Sequence, residues 1–268
     1  MDLHCRDVAS NWSYCILGHD GQLVEERNAD TAYPTASIGK VFLLCEVAER
    51  IVDGRLDPRA RLARDPRLSV ADSGLWQHLA QDSLPLEDVC LLVAAVSDNW
   101  ATNVLLDRVG LESVGVRAQA LGCHYSGLHD RVRDARTDDD PPTLSSGTAR
   151  ELAEVARRIH LAASGGGAEG VSVDAARLVE GWLLTGVDLS MVAAPFRLDP
   201  LAHGEGDLRL WNKTGTDRGI RADMGVIWTD ADAVAYAAIA TWVPGEETVD
   251  APFERMHALG EGLASRLW

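Results

Sequence analysis

Residues 36–52 read ASIGKVFLLCEVAERIV, so a serine and a lysine stand at the start of an apolar run. The apolar residues recur at helical spacing and Asp53-Gly54 follows as a stop signal, which predicts a buried helix from about Ser37 to Val52. Residues three apart share a helix face, so Lys40 is expected beside Ser37. A partly desolvated lysine can lose its proton and activate a serine hydroxyl as a nucleophile. Taken by itself, the pattern favours the simpler interpretation of a helix-capping serine and a lysine that reaches solvent.

Two further short motifs, S-D-N and K-T-G, can be interpreted together with this serine and lysine. S-D-N at 97–99 lies between the apolar-periodic segments 86–96 and 101–109, and K-T-G at 213–215 lies in a β-rich run. The structural interpretation is that S-D-N caps two helices and that K-T-G ends an edge strand. The functional interpretation makes Ser97 a proton relay and Lys213 the positive charge for a substrate carboxylate. Gly215 would let the strand backbone approach bound substrate closely.

The order of the predicted elements indicates the fold class. Residues 12–17 and 22–27 predict a hairpin, and 208–215, 222–229 and 234–243 predict strands before a final helix at about 251–267. The segments between them are mainly helical. We therefore expect an α/β (α+β) fold in which an antiparallel sheet built from both termini is flanked by helices. The whole chain, 1–268, is expected to form one catalytic domain, with a sheet lobe at about 10–35 and 200–268 and an all-helical lobe inserted at about 36–199.

Composition and charge exclude several classes of partner. The chain has 268 residues, is 46% hydrophobic and carries a formal charge of −16. An acidic protein is poorly suited to nucleic acid or an anionic membrane surface, and no apolar run is long enough to span a bilayer. The expected partner is a small-molecule substrate, and the protein is expected to be a monomer. The N-terminus lacks signal-peptide features, which predicts a cytoplasmic protein, or a secreted or periplasmic one if a signal has been removed.

Cysteine and histidine usage points away from metal chemistry. The five cysteines are an odd set without C-x-x-C, and the eight histidines include no H-E-x-x-H motif. We expect no metal and no cofactor.

The three motifs, in this order and in these contexts, form the signature of class A β-lactamases and penicillin-binding proteins. The sequence resembles the class A serine β-lactamases from about Trp12 to the final helix, and the spacing from Ser37 to Ser97 matches theirs. The resemblance implies that Ser37 is the acylated nucleophile, Lys40 the candidate base for acylation, and Ser97 the proton donor to the departing β-lactam nitrogen. It further implies binding roles for four residues: Lys213 with Thr214 for the substrate carboxylate, Asn99 for the side-chain amide, and Thr216 as an oxyanion donor beside Ser37.

The same resemblance assigns structural roles to two other regions. Asn103 would support the polar loop at 129–142. Cys90 falls where some members of the family have a disulfide cysteine, but Cys45 lies one residue past the partner position. One residue turns a helical side chain by about 100°, so two buried thiols are expected. Trp76 is expected to pack against the helical lobe rather than at the cleft mouth.

The polar loop, HDRVRDARTDDDPP at 129–142, departs from the class A pattern. The position of the glutamate that activates water for deacylation falls on Arg133, and an arginine cannot act as a general base. Asp130 or Asp134 could substitute only with a refolded loop. Three hypotheses follow: a β-lactam-hydrolysing enzyme with slow deacylation, an esterase, amidase or acyl-transfer enzyme on the same fold, and a catalytically silent binding protein. The intact trio of motifs argues against the third.

Overall fold

The computed structural model describes residues 11–71, 73–245 and 249–267. Within these ranges the strands are β1 Asn11–Gly18, β2 Leu23–Arg27, β3 Tyr33–Pro34, β4 Arg61–Ala63, β5 Ser83–Pro85, β6 Gly127–Leu128, β7 Ser145–Gly147, β8 Arg209–Asp217, β9 Ile220–Trp228 and β10 Ala233–Thr241. The α-helices are α1 Lys40–Val52, α2 Leu86–Val96, α3 Asn99–Val109, α4 Leu111–Ala120, α5 Ala149–Ala163, α6 Val173–Leu183 and α7 Asp250–Leu267. Short 3-10 turns occupy Ala36–Gly39, Pro66–Leu68, Trp76–His78 and Ala194–Phe196.

The main sheet is antiparallel and joins the two ends of the chain, which confirms the predicted fold class. Its strand order is β2-β1-β10-β9-β8, and β1 pairs with β10 from Asn11 opposite Thr241 to Gly18 opposite Val234. Every residue of β10 is buried because both sheet faces are covered. One face carries α5 and the helical core, and the other packs against the apolar face of α7. At the opposite end of this order, β8 is an edge strand.

The helical part is organised around α1. Residues 40–48 of this helix are all buried, and α2, α3, α4 and α6 pack around it. The apolar-periodic segments at 86–96 and 101–109 are confirmed within a few residues as helices α2 and α3, and the region expected to be mainly helical also contains α5 and α6. The sequence analysis did not predict α4. Its buried residues are Val114 and Ala118 alone, so it lacks the apolar stripe that marks the other helices.

The described cysteines are all buried free thiols, namely Cys15, Cys45, Cys90 and Cys123. The expectation of two thiols at Cys45 and Cys90 is thereby confirmed, whereas Cys5 lies outside the described residues. Trp76 is fully buried, as expected for a packed tryptophan. None of the described helices is both long enough and apolar enough to span a membrane.

Candidate active site

Ser37 lies in a tight 3-10 turn that precedes α1, not in the first turn of the α-helix that the sequence predicts. Ala36 adopts a left-handed backbone conformation with φ +50°, which is uncommon for a residue with a side chain. Ser145 of β7 supports the turn by donating from its hydroxyl to the Ala36 carbonyl at 2.5 Å. A Cβ at Gly39 would lie 2.6 Å from the Ser145 Cβ, so only glycine allows this contact. The turn leaves Ser37 partly exposed at the mouth of a buried helix.

The edge strand β8 packs directly against this turn. A Cβ at Gly215 would lie 2.1 Å from the Thr35 carbonyl oxygen, far inside van der Waals distance. The missing side chain of Gly215 admits the backbone before Ser37, and the expected close approach of this strand to bound substrate stays a prediction. Gly215 itself does not line the cleft, whereas its neighbours Thr214 and Thr216 do. The glycine therefore brings the strand and the serine together.

The S-D-N segment connects α2 to α3 and fixes one wall of the site. Ser97 ends α2 in a left-handed conformation with φ +56°. Asp98 is buried and caps α3 by accepting from the Ala101 backbone N–H at 2.9 Å. Its other carboxylate oxygen accepts from the backbone N–H groups of Leu75 and Trp76, each at 2.8 Å. The capping interpretation of this motif is correct for Asp98, and the strained backbone at Ser97 is of the kind that concentrates at functional sites.

The three motifs meet at the Ser97 hydroxyl. The Lys40 amine lies 3.2 Å from Ser97 Oγ, 2.7 Å from the Ser97 carbonyl oxygen and 2.8 Å from Asn99 Oδ1. From the other side, the Lys213 amine donates to Ser97 Oγ at 3.0 Å and to the Thr214 carbonyl at 2.7 Å. A single hydroxyl thus lies between two lysines from distant parts of the chain.

Both lysines are removed from water, with 0% of Lys40 and 2% of Lys213 exposed. Burial lowers the pKa of the Lys40 amine well below its ordinary value, and the nearby charge of Lys213 lowers it further. Burial also lowers the pKa of Lys213, to about 8, against the opposing effects of Asp188 and Asp223. Two buried amines in contact with one hydroxyl favour a state in which at least one is uncharged.

The Ser37 hydroxyl is not hydrogen-bonded to Lys40. Among the described residues, none forms a hydrogen bond with the Ser37 side chain, and the Lys40 amine is directed to Ser97 and Asn99. Ser37 and Ser97 nevertheless line one cavity of about 580 Å³. That cavity also includes Lys213, Thr214 and Thr216, so five of the eight predicted site residues face a common space, with Lys40 buried directly beneath.

Asn99 lies beside Lys40, and its expected contact with the side-chain amide of a substrate stays a prediction. Its side-chain carbonyl accepts from Lys40, and its amide donates to the Ala71 carbonyl at 3.2 Å. Both polar ends are therefore engaged within the protein. Asn99 lines a second cavity, of about 420 Å³, on the other side of Ser37.

Asn103 makes the contact that was expected of it. Its amide donates to the Val132 carbonyl at 3.0 Å, and its carbonyl accepts from the Val132 N–H at 2.8 Å. A further bond reaches the Leu68 carbonyl at 3.2 Å. These bonds attach the polar loop to α3 and set its position beside the second cavity.

Arg133 stands at the loop position where the family resemblance predicts the deacylating glutamate, and carboxylates hold its side chain. Its guanidinium contacts Asp130 at 2.6 and 3.1 Å and Asp140 at 3.0 Å. Asp130 is 5% exposed and also accepts from the Arg131 N–H, so both of its oxygens are occupied. Asp134 accepts from the Ala71 N–H at 2.7 Å. Asp134 lines the second cavity together with Ser37 and Arg133, whereas Asp130 does not.

Several charged residues of the cleft were not found by the sequence analysis, and Asp217 and Arg218 of the β8–β9 turn are among those that line it. Asp188 and Arg221 line the cleft, and Asp223 is buried beneath it. Asp223 accepts from the Asn212 amide, the Tyr236 hydroxyl and the Val192 N–H at 3.0–3.3 Å. Burial, with the charge of Asp188, raises the pKa of Asp223 well above its ordinary value. Arg221 follows K-T-G in the adjacent strand and could have been found from the hairpin register, but no local pattern marks Asp188.

The geometry can be compared with known proteins. Residues 8–252 match the sequence profile of the β-lactamase enzyme family. The chain belongs to this family. It is therefore a β-lactamase-like serine hydrolase whose substrate is a small molecule. None of the curated proteins compared with this chain matches it in sequence.

Solved structures of this family share the fold. A β-lactamase from Sphaerobacter thermophilus is 22% identical, with a TM-score of 0.81 over 97% of this chain and 92% of that one. PBP-A is 18% identical, with a TM-score of 0.79 over 98% of this chain and 91% of that one. A class A β-lactamase from Mycobacterium abscessus is 18% identical, with a TM-score of 0.76 over 97% and 95%. The architecture is thus that of class A β-lactamases and PBP-A over nearly the whole chain.

Proposed function

We propose that this protein opens β-lactams through an acyl-enzyme on Ser37 and releases the product slowly. The observation that carries the proposal is the Ser97 hydroxyl, which contacts two buried lysine amines at 3.2 and 3.0 Å in a cleft that also contains Ser37. Such an arrangement supplies a base, a proton relay and a nucleophile around one cleft.

The contacts of Lys40 fit an uncharged amine. An uncharged amine has two N–H donors and one lone pair, and Lys40 has two short contacts to carbonyl oxygens and a longer one to a hydroxyl. The two N–H groups would donate to the carbonyls of Ser97 and Asn99. The lone pair then accepts from Ser97 Oγ, and it becomes available to a nucleophile when that contact opens.

Acylation follows from these roles. The Ser37 hydroxyl turns toward Lys40, loses its proton to the amine, and attacks the lactam carbonyl carbon to form a C–O bond. Ser97 gives its proton to the lactam nitrogen as the C–N bond breaks, and it recovers a proton from Lys40. Each proton is thereby accounted for, and the leaving amine remains tethered in the opened product.

Binding and charge stabilisation are assigned to β8 and the Ser37 turn. Thr216 and Ser37 line both cavities, and β8 is a sheet edge whose outward N–H groups are available to a ligand. We assign the oxyanion to the backbone N–H groups of Ser37 and Thr216. Lys213 and Thr214 are assigned to the substrate carboxylate.

Slow deacylation follows from the loop. Water that attacks an acyl-enzyme needs a general base, and such assistance contributes roughly a hundred- to ten-thousand-fold. Arg133 cannot accept a proton, and Asp130 is occupied by its ion pairs. Asp134 is the remaining candidate carboxylate of the loop that shares a cavity with Ser37, so any base assistance is assigned to it.

One of the similar structures supports the first half of this proposal. A PBP-A variant with a TM-score of 0.79 to this chain is an acyl-enzyme complex with penicillin G. The fold can therefore hold a penicilloyl group on its serine, and we extend that chemistry to Ser37.

Intact-protein mass spectrometry tests the proposal. Penicillin G should add its full mass to the wild-type protein within the mixing time, the adduct should map to Ser37, and Ser37→Ala should remain unlabelled. The rate at which the adduct disappears measures deacylation, and Asp134→Asn should slow it further. Rapid nitrocefin turnover without an adduct would refute slow deacylation. Labelling by p-nitrophenyl acyl esters but by no β-lactam would favour the esterase hypothesis.

A further inference from the structure

The Lys213 end of the cleft contains an acidic residue that no role above explains. Asp188 lines the 580 Å³ cavity beside Lys213, Thr214 and Arg221. Under the assignments of Ser97 and Lys213, this end receives the departing part of the substrate. We propose that Asp188 moderates the charge preference set there by the cations: it weakens the binding of anionic leaving groups and makes cationic ones more acceptable. This inference rests on the proposed acyl transfer at Ser37.

Asp188 is held rigidly by one side of its carboxylate. Its Oδ1 atom accepts from the Ser190 hydroxyl at 2.6 Å and from the Ser190 N–H at 3.2 Å. Its backbone carbonyl accepts from the Asn212 amide at 3.1 Å, which attaches the segment to β8 beside Lys213. Among the described residues, none donates to Asp188 Oδ2, so one carboxylate oxygen remains available to a ligand.

Three cations line the cleft with Asp188, namely Lys213, Arg218 and Arg221, and within the described part of the chain none of them forms an ion pair with it. Lys213 donates to Ser97 and to the Thr214 carbonyl. Arg221 donates to the backbone carbonyls of Asp217 and Ile220, and its guanidinium lies 5.8 Å from the centre of the Trp242 ring. Lys213 and Arg221 are thus bonded to groups other than Asp188, while the Asp188 carboxylate lines the same cavity.

Asp188 is nevertheless close enough to act on this region electrostatically. Its negative charge influences the titration of Lys213, Arg221 and Asp223. Asp223 is buried beneath the cleft and accepts from Asn212, Tyr236 and Val192, so its carboxylate does not face a ligand in the cavity. A single partly solvated charge in the same cavity changes the affinity for a charged group of the substrate by roughly threefold to tenfold. Asp188 therefore acts oppositely on anionic and cationic leaving groups.

A matched series of substrates isolates this effect. Phenylacetyl thioesters of thiocholine, 2-mercaptoethanol and 3-mercaptopropionate share one acyl group and differ in the charge of the leaving thiol. The rate constant kcat/KM for acylation is measured for the wild type, Asp188→Asn and Asp188→Glu. Asp174→Asn on α6 removes the same charge at an exposed position outside the cleft and serves as the control.

The expected result is a change in the ratio of kcat/KM between the cationic and anionic esters, rather than an equal loss of rate with every ester. Asp188→Asn should lower the rate with the thiocholine ester and raise it with the mercaptopropionate ester, changing their ratio by about tenfold or more, since the two effects multiply. The neutral ester should change less than about twofold, and Asp174→Asn and Asp188→Glu should keep the wild-type ratio.

Two failures are distinguishable. An unchanged ratio in a folded Asp188→Asn protein that still acylates at Ser37 would overturn the role of Asp188 and leave the proposed function intact. Absence of acylation at Ser37 by every thioester and β-lactam would overturn both. If Asp188→Asn does not fold, an Asp188→Glu protein with an inverted ratio would overturn the inference equally.

Discussion

The contact between Gly215 and Thr35 gives the sharpest test of how the site is assembled. Gly215→Ala would place a Cβ 2.1 Å from the Thr35 carbonyl oxygen. Unbonded carbon and oxygen atoms need about 3.2 Å, so β8 and the Ser37 turn must separate by about 1 Å. That movement opens the space between Ser37 and Thr216, which are the two proposed oxyanion donors.

The expected losses of acylation rate and of stability follow from this displacement of about 1 Å. A misplacement of about 1 Å at a reacting group costs about a hundredfold in rate, equivalent to about 3 kcal/mol in the barrier. Overpacking of this kind also destabilises a fold by roughly 1–3 kcal/mol. We therefore expect Gly215→Ala to remain folded, with reduced stability, and to acylate about a hundred times more slowly than the wild type.

The assay is the pre-steady-state burst of nitrocefin opening, measured beside urea unfolding. Gly170→Ala is the matched control, because its Cβ would lie 2.2 Å from the Ala120 carbonyl in the helical part. Its φ of +84° adds backbone strain, so it should lose at least as much stability. The burst rate of the folded Gly170→Ala protein should equal that of the wild type.

A burst rate for Gly215→Ala within about twofold of the wild type would refute the reasoning. A separation of the oxyanion donors by about 1 Å should reduce the acylation rate far more than that. Equal losses of burst rate in both variants would also refute it. In that case the loss would follow general destabilisation and not the geometry at Ser37.

Three other outcomes are expected. The rate of acylation by penicillin G should fall as pH rises through about 8, because burial lowers the pKa of Lys213 to about 8 and the lysine loses its proton there. The rate of acylation by a neutral ester should show no such decline. Both rates should fall at acid pH, as Lys40 becomes protonated. Ser97→Ala should slow acylation by roughly a hundred- to ten-thousand-fold in stopped-flow experiments, with an unchanged circular dichroism spectrum. Asn103→Leu should cost roughly 2–3 kcal/mol in urea unfolding through three lost hydrogen bonds, and limited proteolysis should cut 129–142 faster.

The fold could be predicted from the sequence where apolar periodicity was strong. The hairpin, the three C-terminal strands and α2 follow directly from apolar spacing and turn residues, because all of these elements except the exposed strand β2 bury apolar residues in the core. The start of α1 could not be placed correctly, since the 3-10 turn at 36–39 depends on Ser145, which is remote in the chain. The weakly amphipathic α4 was missed for the lack of buried residues.

The site could be predicted only in part. The motifs identify the side chains of Ser37, Ser97 and Lys213, which do face one cavity. They cannot reveal which backbone fills the space beside Gly215, because that neighbour comes from another segment. Asp188 was missed for a related reason, since its position in the cleft is set by Asn212 and the sheet rather than by any local pattern.

The pairing of β1 with β10 has a consequence for biosynthesis. As the chain leaves the ribosome, β1 emerges more than two hundred residues before its partner β10 exists. Contacts this distant in sequence close late and slowly. During that interval the apolar strand at 11–18 has β2 alone as a sheet neighbour, so nascent chains are expected to need protection until β10 is made. A ribosome stalled just before residue 233 should therefore yield a chaperone-bound, protease-sensitive product.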